Sequence, residues 1–201
     1  MERGRDVRMT LVGGALALAV LLPGLAHAHP GHATSHGFGH GFVHPLFGWD
    51  HLLAMIAVGI WAGQRGGRAA WLLPAIFVAT MSLGAALGFR GVALPGVEGG
   101  ILLSVLVLGA LIAAAASIPL ALAAAVVAAF ALVHGHAHGT EMPADLGGLA
   151  YGAGFVSATA LLHAVGVALP LAVRRLDAGR VPLVRLAGAA IGLAGALLVV
   201  A

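Results

Sequence analysis

The sequence predicts an all-α protein, a polytopic membrane bundle of six transmembrane helices that follows a cleaved signal peptide. Of its 201 residues, 61% are hydrophobic and only 8% are charged, whereas about 25% of the residues in an average soluble domain are charged. Its mean hydropathy is +1.05. The apolar residues are grouped into segments near the roughly 20 residues that a helix needs to cross a bilayer. These observations exclude an ordinary soluble domain.

Residues 1–28 have the three parts of a secretory signal peptide. Three arginines within the first eight residues make the positive start, residues 9–22 are mostly apolar, and Ala26-His27-Ala28 supplies the small residues of a cleavage site. Cleavage there places the mature N-terminus outside the cytoplasm. The alternative is an uncleaved first anchor helix, for which the apolar run is short.

Residues 29–40 form an external tail that is rich in histidine and glycine. Its histidines recur every three or four residues, at His29, His32, His36 and His40. Short histidine-rich tracts capture metal ions, but glycine leaves the backbone too free to hold a rigid site. We therefore expect the tail to raise the local metal concentration without forming the transport site.

Residues 41–201 form the transmembrane domain, in which six apolar segments each predict one helix. The segments are residues 41–63, 69–89, 98–116, 118–133, 146–171 and 181–201. Glycines four residues apart, as at Gly84 and Gly88, predict a tight bundle because small residues one turn apart let helices approach closely.

The arginines orient these segments. With the mature N-terminus outside, the outer loops carry Arg90 alone, and the inner loops carry Arg65, Arg68, Arg174, Arg175 and Arg180. Cytoplasmic loops of membrane proteins are enriched in basic residues. The pattern predicts a multi-pass protein of the bacterial inner membrane with both termini on the periplasmic side. It also explains the sequence pI of about 11.1 without a nucleic-acid partner.

The first segment carries a polar cluster at its start. Pro45 favours the first position of a helix, which predicts that His44 caps a helix starting at Pro45. His44 and His51 are then about two turns apart on one face, with roughly 10 Å between their backbones. Asp50 can bind a metal beside His51 or hold its imidazole from behind. The alternative is an Asp-His pair that only staples neighbouring helices.

A second cluster follows the fourth segment. If that helix continues to Gly139, His134 and His138 lie one turn apart on one face, a spacing at which two imidazoles can bind one metal ion. Glu141 is close enough to join them. His136 points elsewhere on a continuous helix, although unwinding at the glycines would bring it in. The alternative is a polar outer loop that happens to be rich in histidine.

The remaining polar residues of the apolar segments are weaker candidates. Glu98 opens the third segment and needs a partner cation, and Ser104 follows it within two turns. His163 lies deep in the fifth segment and is either an accessory ligand or a hydrogen-bonding group between helices. Together with Asp50 and Glu141, Glu98 offers negative charge that a divalent cation would offset. Imidazole and carboxylate donors without thiolates favour nickel, cobalt or zinc over copper(I), magnesium and calcium.

The composition excludes several other kinds of chemistry. The chain has no cysteine and no lysine, so it has no thiolate metal site, no iron–sulfur cluster and no Walker A loop of its own. Neither a His-Glu-x-x-His zinc-protease pattern nor a Gly-x-Ser-x-Gly nucleophile elbow occurs. We therefore expect no enzyme. A b-type haem protein with paired axial histidines and a metal-binding accessory subunit without transport remain alternatives.

Three stretches, residues 44–55, 97–109 and 134–141, resemble the HupE/UreJ family of nickel permeases. They contain His44-Pro45-Leu46 with Asp50-His51-Leu52, then Glu98 with Ser104, and then His134-Gly135-His136-Ala137-His138-Gly139-Thr140-Glu141. Five residues separate His44 from Asp50, where the related nickel–cobalt transporter family has four, and this favours the HupE/UreJ family.

The resemblance implies secondary uptake of Ni²⁺, with Co²⁺ as the alternative, for hydrogenase or urease maturation. The ion is the transported substrate, and no tightly bound cofactor is expected. The expected site joins His44, Asp50 and His51 of the first helix to His134, His138 and Glu141 of the fourth, with Glu98 and His136 as further ligands. The expected partners are the divalent metal ion and the lipid bilayer.

Overall fold

The computed structural model describes residues 37–142, 146–176 and 181–200. The signal peptide and His29, His32 and His36 of the tail lie outside the described residues. The described residues form seven helices, which confirms the all-α prediction. They are α1 (Phe38–Phe47), α2 (Trp49–Arg65), α3 (Ala69–Phe89), α4 (Val97–Ala113), α5 (Leu120–Glu141), α6 (Leu146–Leu176) and α7 (Val181–Val200).

The first predicted span is broken into two helices. α1 and α2 meet at Gly48, whose backbone is extended, and their axes differ by 86°. The prediction that His44 caps a helix starting at Pro45 is wrong, because Pro45 lies inside α1 and His44 lies in its last turn. Proline has no backbone N–H to donate to the carbonyl four residues earlier, and α1 ends two residues after it. His44 and His51 therefore do not share the face of one helix.

The fourth predicted span is longer than expected. α5 continues without a break to Glu141, eight residues beyond the predicted end at Val133. Its late glycines are helix contacts and not breaking points, because a Cβ on Gly135 would meet the backbone of Met81 and one on Gly139 would meet Ala85. Close approach to α3 thus keeps this histidine-rich stretch helical.

The helices pack mainly in pairs. α3 packs most extensively on α5, α2 on α6, and α4 on α7. Glycine permits the close approach that was predicted for Gly84 and Gly88, which face the backbone of Leu132 and His136. The buried core of α2 runs from Ala54 to Gly63 and is enclosed by α4 and α6, among others. α2 is therefore the central helix of the bundle.

Four helices, α3, α5, α6 and α7, are long and apolar enough to cross a membrane, and the bent pair of α1 and α2 makes a fifth candidate. α4 has 17 residues, which gives it a length of about 26 Å against about 30 Å for the hydrocarbon core of a bilayer. The structure is consistent with a multi-pass membrane protein. The count of six spans remains a prediction.

Arginine side chains gather at one end of the bundle. Arg65, the last residue of α2, donates to the carbonyl of Ile118 at 2.7 Å, and Arg185 Nε donates to the carbonyl of Ala113 at 2.8 Å. Arg174 donates to the backbone carbonyl of Gln64. Two of the three carbonyl groups lie at the C-terminal ends of α2 and α4, where a helix leaves its last carbonyls unpaired, and the third lies in the loop after α4.

This arginine end predicts the orientation of the bundle in the membrane. Because basic residues are retained on the cytoplasmic side, we expect reporter domains fused after Arg68 and after Arg175 to be cytoplasmic. Mass spectrometry of the mature protein should find His29 at its N-terminus. Periplasmic activity of either reporter would contradict the orientation, and an intact Met1 would contradict cleavage.

Candidate metal centre

Polar side chains gather where α1 turns into α2. The break at Gly48 separates His44 from Asp50 and His51, which lie in the first turn of α2. The end of α5 lies against this break, with the His138 ring centroid 4.4 Å from that of His51. We call the residues assembled here the histidine cluster, which consists of His44, Asp50, His51, His134, His138 and Glu141.

The outer part of the histidine cluster is a group of three possible ligands. His44, His138 and Glu141 each offer one donor atom, and the three atoms lie within 4.8 Å of one another. Glu141 Oε2 is 3.9 Å from His44 Nε2 and 4.0 Å from His138 Nδ1. The side chains of His44 and Glu141 are 41% and 63% exposed, whereas that of His138 is 5% exposed. The cluster is therefore open on the side of His44 and Glu141.

His51 is held by Asp50. The Asp50 Oδ1 atom accepts the backbone N–H of His51 at 2.8 Å and lies 2.7 Å from His51 Nδ1. An ionised carboxylate only accepts hydrogen bonds, so Nδ1 carries the proton and Nε2 carries the lone pair. His51 Nε2 is buried and has no hydrogen-bond partner in the described part of the chain. This is the arrangement by which a carboxylate orients a metal-binding histidine.

His134 is held by Ser104 in a similar way. The Ser104 hydroxyl donates to the Ile101 carbonyl at 2.6 Å and lies 2.9 Å from His134 Nε2. A hydroxyl has one proton to donate, so the Ser104 oxygen accepts from His134 Nε2–H. The lone pair of His134 is then on Nδ1, which is buried and makes no hydrogen bond to any described residue. Ser104 therefore selects the tautomer of His134.

His138 completes a group of three imidazoles that each have at least one ring nitrogen without a hydrogen-bond partner among the described residues. Both of its ring nitrogens are buried without a hydrogen-bond partner among the residues that the structure describes. The His51 ring centroid lies 4.4 Å from that of His138 and 5.1 Å from that of His134. An unsatisfied buried polar group costs about 1–3 kcal/mol. A metal ion bound by the lone pairs would offset this cost, because neutral imidazole is a common metal ligand.

Two predicted ligands lie outside the histidine cluster. Glu98 is exposed in the first turn of α4, and it forms no ion pair with another described residue. His136 points away from His134 and His138, as expected for a continuous helix, and its Nε2 bonds to the Val92 carbonyl at 2.6 Å. The structure thus does not bring Glu98 and His136 to the same place as the other six.

The accessory candidates are also separated. His40 is exposed on α1, one turn before His44. Ser104 contacts the histidine cluster through His134, whereas His163 is buried on α6 and lies against Phe77. His29, His32 and His36 fall outside the described residues.

Aromatic side chains of α6 enclose the cluster, and the sequence reasoning missed them. The Phe155 ring centroid is 4.1 Å from that of His138, and the Tyr151 centroid is 5.8 Å from that of His44. Their spacing of four residues on one helix face is the only sequence signal that could have indicated them. The rings exclude water from one side of the cluster, which strengthens electrostatic interactions there.

The role of Ser104 gives a testable prediction. In Ser104→Ala, His134 Nε2 loses its acceptor and the imidazole loses its preferred tautomer. We expect nickel binding by the purified protein to weaken by about 10–100-fold, the usual effect of losing a group that orients a ligand. Equilibrium dialysis measures the affinity, and Ser82→Ala is the control because the exposed Ser82 hydroxyl bonds only to Val78 of its own helix. Equal affinities in the two variants would remove Ser104 from the site.

Comparison with known proteins identifies relatives over nearly the whole chain. A family model described as HupE / UreJ protein matches residues 16–198. The chain is 48% identical over 183 residues to Protein HupE from Rhizobium leguminosarum bv. viciae, and the alignment covers 90% of this chain and 94% of that protein. No solved structure matches.

Proposed function

Because the chain belongs to the HupE/UreJ family, whose members are membrane transport or accessory proteins and not enzymes, we propose that it is a permease for divalent nickel. Cobalt is the alternative substrate. The proposed route crosses the cytoplasmic membrane through the histidine cluster, and the proposed use of the metal is hydrogenase or urease maturation. The bound ion is cargo and not a resident cofactor.

One observation carries this proposal. His51, His134 and His138 present unpaired, buried ring nitrogens within ring contact of one another. Ring nitrogens that lack hydrogen-bond partners and lie this close together favour a shared cation. Nitrogen donors of this type suit nickel, cobalt and zinc, and they do not suit magnesium or calcium.

The two carboxylates match the charge of a divalent cation. Asp50 lies behind His51, and Glu141 lies beside His44 and His138. The two negative charges balance one divalent ion, so the loaded cluster carries little net charge in a low-dielectric bundle. The Asp50 side chain is only 26% exposed, so its carboxylate loses part of its hydration and gains from a nearby cation.

The direction of uptake follows from the arrangement of α2. This helix carries His51 of the histidine cluster in its first turn and ends at Arg65 in the arginine end. If the arginines are cytoplasmic, the cluster lies toward the periplasm, and its open side at His44 and Glu141 receives the ion. The histidine-rich tail precedes α1 in the sequence.

Uptake of radioactive nickel by cells with and without the gene tests the proposal. We expect faster accumulation at scarce nickel when the chain is expressed. Proteoliposomes containing only the purified protein should also accumulate nickel from outside. Nickel binding without accumulation in either system would favour the accessory protein, and a visible haem spectrum of the purified protein would contradict both.

A further inference from the structure

His163 is a buried histidine that the histidine cluster does not use. It lies in the middle of α6 with a relative exposure of 1%, and neither ring nitrogen has a hydrogen-bond partner among the described residues. Buried polar groups are nearly always paired. An imidazole with both nitrogens unpaired in the interior of a membrane bundle therefore indicates a ligand.

A single aromatic ring lies between His163 and the histidine cluster. The Phe77 ring centroid is 4.9 Å from that of His163, edge to face, and 5.8 Å from that of His134. Phe77 is fully buried. The two imidazoles thus lie against the same phenylalanine ring.

Two thioethers contact Thr159, which lies one turn before His163 on α6. Thr159, four residues earlier on α6, donates to Met55 Sδ at 3.3 Å and lies 3.8 Å from Met81 Sδ. All three residues are buried. The hydroxyls of Ser82, Thr140 and Ser157 instead bond to carbonyls of their own helices, which is the usual habit of helical serine and threonine. The Thr159 hydroxyl is directed toward sulfur.

These residues lie one turn from a neighbour in the sequence on each of three helices. Met55 follows His51 by four residues on α2, Met81 follows Phe77 by four on α3, and His163 follows Thr159 by four on α6. Residues four apart lie on the same face of a helix. Two of the helices bring Met55 and Met81 to Thr159. His163 lies one turn farther along α6, toward the arginine end.

We propose that His163, Thr159 and the thioethers of Met55 and Met81 form a second binding site for the transported divalent cation. This inference rests on the proposed permease function. Imidazole and thioether suit borderline and soft cations, nickel and cobalt among them, and they do not suit magnesium or calcium. The second site has no charged ligand, so it holds the ion less tightly than the histidine cluster. A weaker inner site favours release in the direction of uptake, because conduction needs sites that an ion can leave.

Sulfur ligation is the signature of this site. The chain contains no cysteine, so any sulfur bound to nickel comes from methionine. X-ray absorption of the purified full-length protein, loaded with one and then two equivalents of Ni²⁺, should show nitrogen and oxygen ligands first and sulfur with the second equivalent. The double variant Met55→Leu/Met81→Leu keeps the core volume and should lose the sulfur signal. Met142→Leu is the matched control and should retain it.

Transport by a His163 variant separates this inference from the proposed function. His163→Leu should still bind the first equivalent of nickel. Its rate of nickel uptake should be about tenfold lower, a loss typical of a damaged metal site. If the His163→Leu protein is not found in the membrane, Thr159→Val and the methionine double variant test the same prediction. Absence of sulfur ligation in the wild type, or normal uptake by the methionine double variant, would overturn the second site. Absence of nickel uptake by the wild type would instead overturn the proposed permease function.

Discussion

The variant His51→Ala should abolish nickel uptake while leaving the protein in the membrane. The substitution removes the Nε2 lone pair that faces His134 and His138, and it leaves the Asp50 carboxylate without its imidazole partner. A cluster that keeps the partly buried Asp50 charge but lacks its central ligand holds a cation poorly. Uptake of radioactive nickel at matched membrane abundance measures the loss.

The variant Asp50→Asn should also reduce nickel uptake strongly, but less than His51→Ala does. An amide oxygen can still accept from His51 Nδ1, so the tautomer is retained, but the negative charge is lost. We expect nickel affinity to fall by about 10–100-fold, as for other groups that support a metal ligand. Near-normal uptake in both His51→Ala and Asp50→Asn would return the Asp-His pair to a structural role.

His136→Ala is the matched comparison for His51→Ala. It removes a buried imidazole from the same bundle, but one whose Nε2 bonds to the Val92 carbonyl outside the histidine cluster. We expect a milder loss of uptake, in proportion to any loss of protein from the membrane. If His136→Ala were as severe as His51→Ala at equal abundance, His136 would belong to the transport site.

The variant Gly135→Ala should be among the most damaging single-methyl changes in the bundle. A Cβ at this position would meet the Met81 carbonyl group, with Met81 C at 2.7 Å and Ala85 N at 2.9 Å. These are backbone atoms, so α3 and α5 must separate. We expect destabilisation near the upper end of the roughly 1–3 kcal/mol typical of overpacking. Because His134 and His138 lie on either side of Gly135, nickel uptake should fall as well.

Gly99→Ala controls for the intrinsic effect of replacing glycine in a helix. Nothing lies within 4 Å of a Cβ built on Gly99, and alanine is the better helix former by about 1 kcal/mol. The control should be neutral or slightly more stable. Both variants are solubilised in detergent and heated. The measurement is the temperature at which half of the protein remains monodisperse, compared between Gly135→Ala and Gly99→Ala. Equal temperatures would show that α3 and α5 do not pack as closely as described.

The sequence alone determined the class of protein and much of its chemistry. Long apolar segments predicted the all-α membrane fold because a bilayer offers the backbone no hydrogen bonds outside the helix. The absence of cysteine left imidazole and carboxylate as the main ligand chemistry. The spacing of four between His134 and His138 correctly placed both on one face of α5, because that face is a property of the helix itself.

Only the tertiary structure decided which of these residues meet. The break at Gly48 turns α1 by 86° against α2 and brings His44 to His138, a meeting that spacing along one straight helix could not predict. Close backbone approach at Gly135 keeps α5 helical, so His136 is directed to Val92 and away from His51. Tyr151, Phe155 and Ser104 join the site from α6 and α4 through contacts between helices distant in sequence. Sequence spacing specifies faces within a helix, whereas the contacts between faces depend on where backbones can approach.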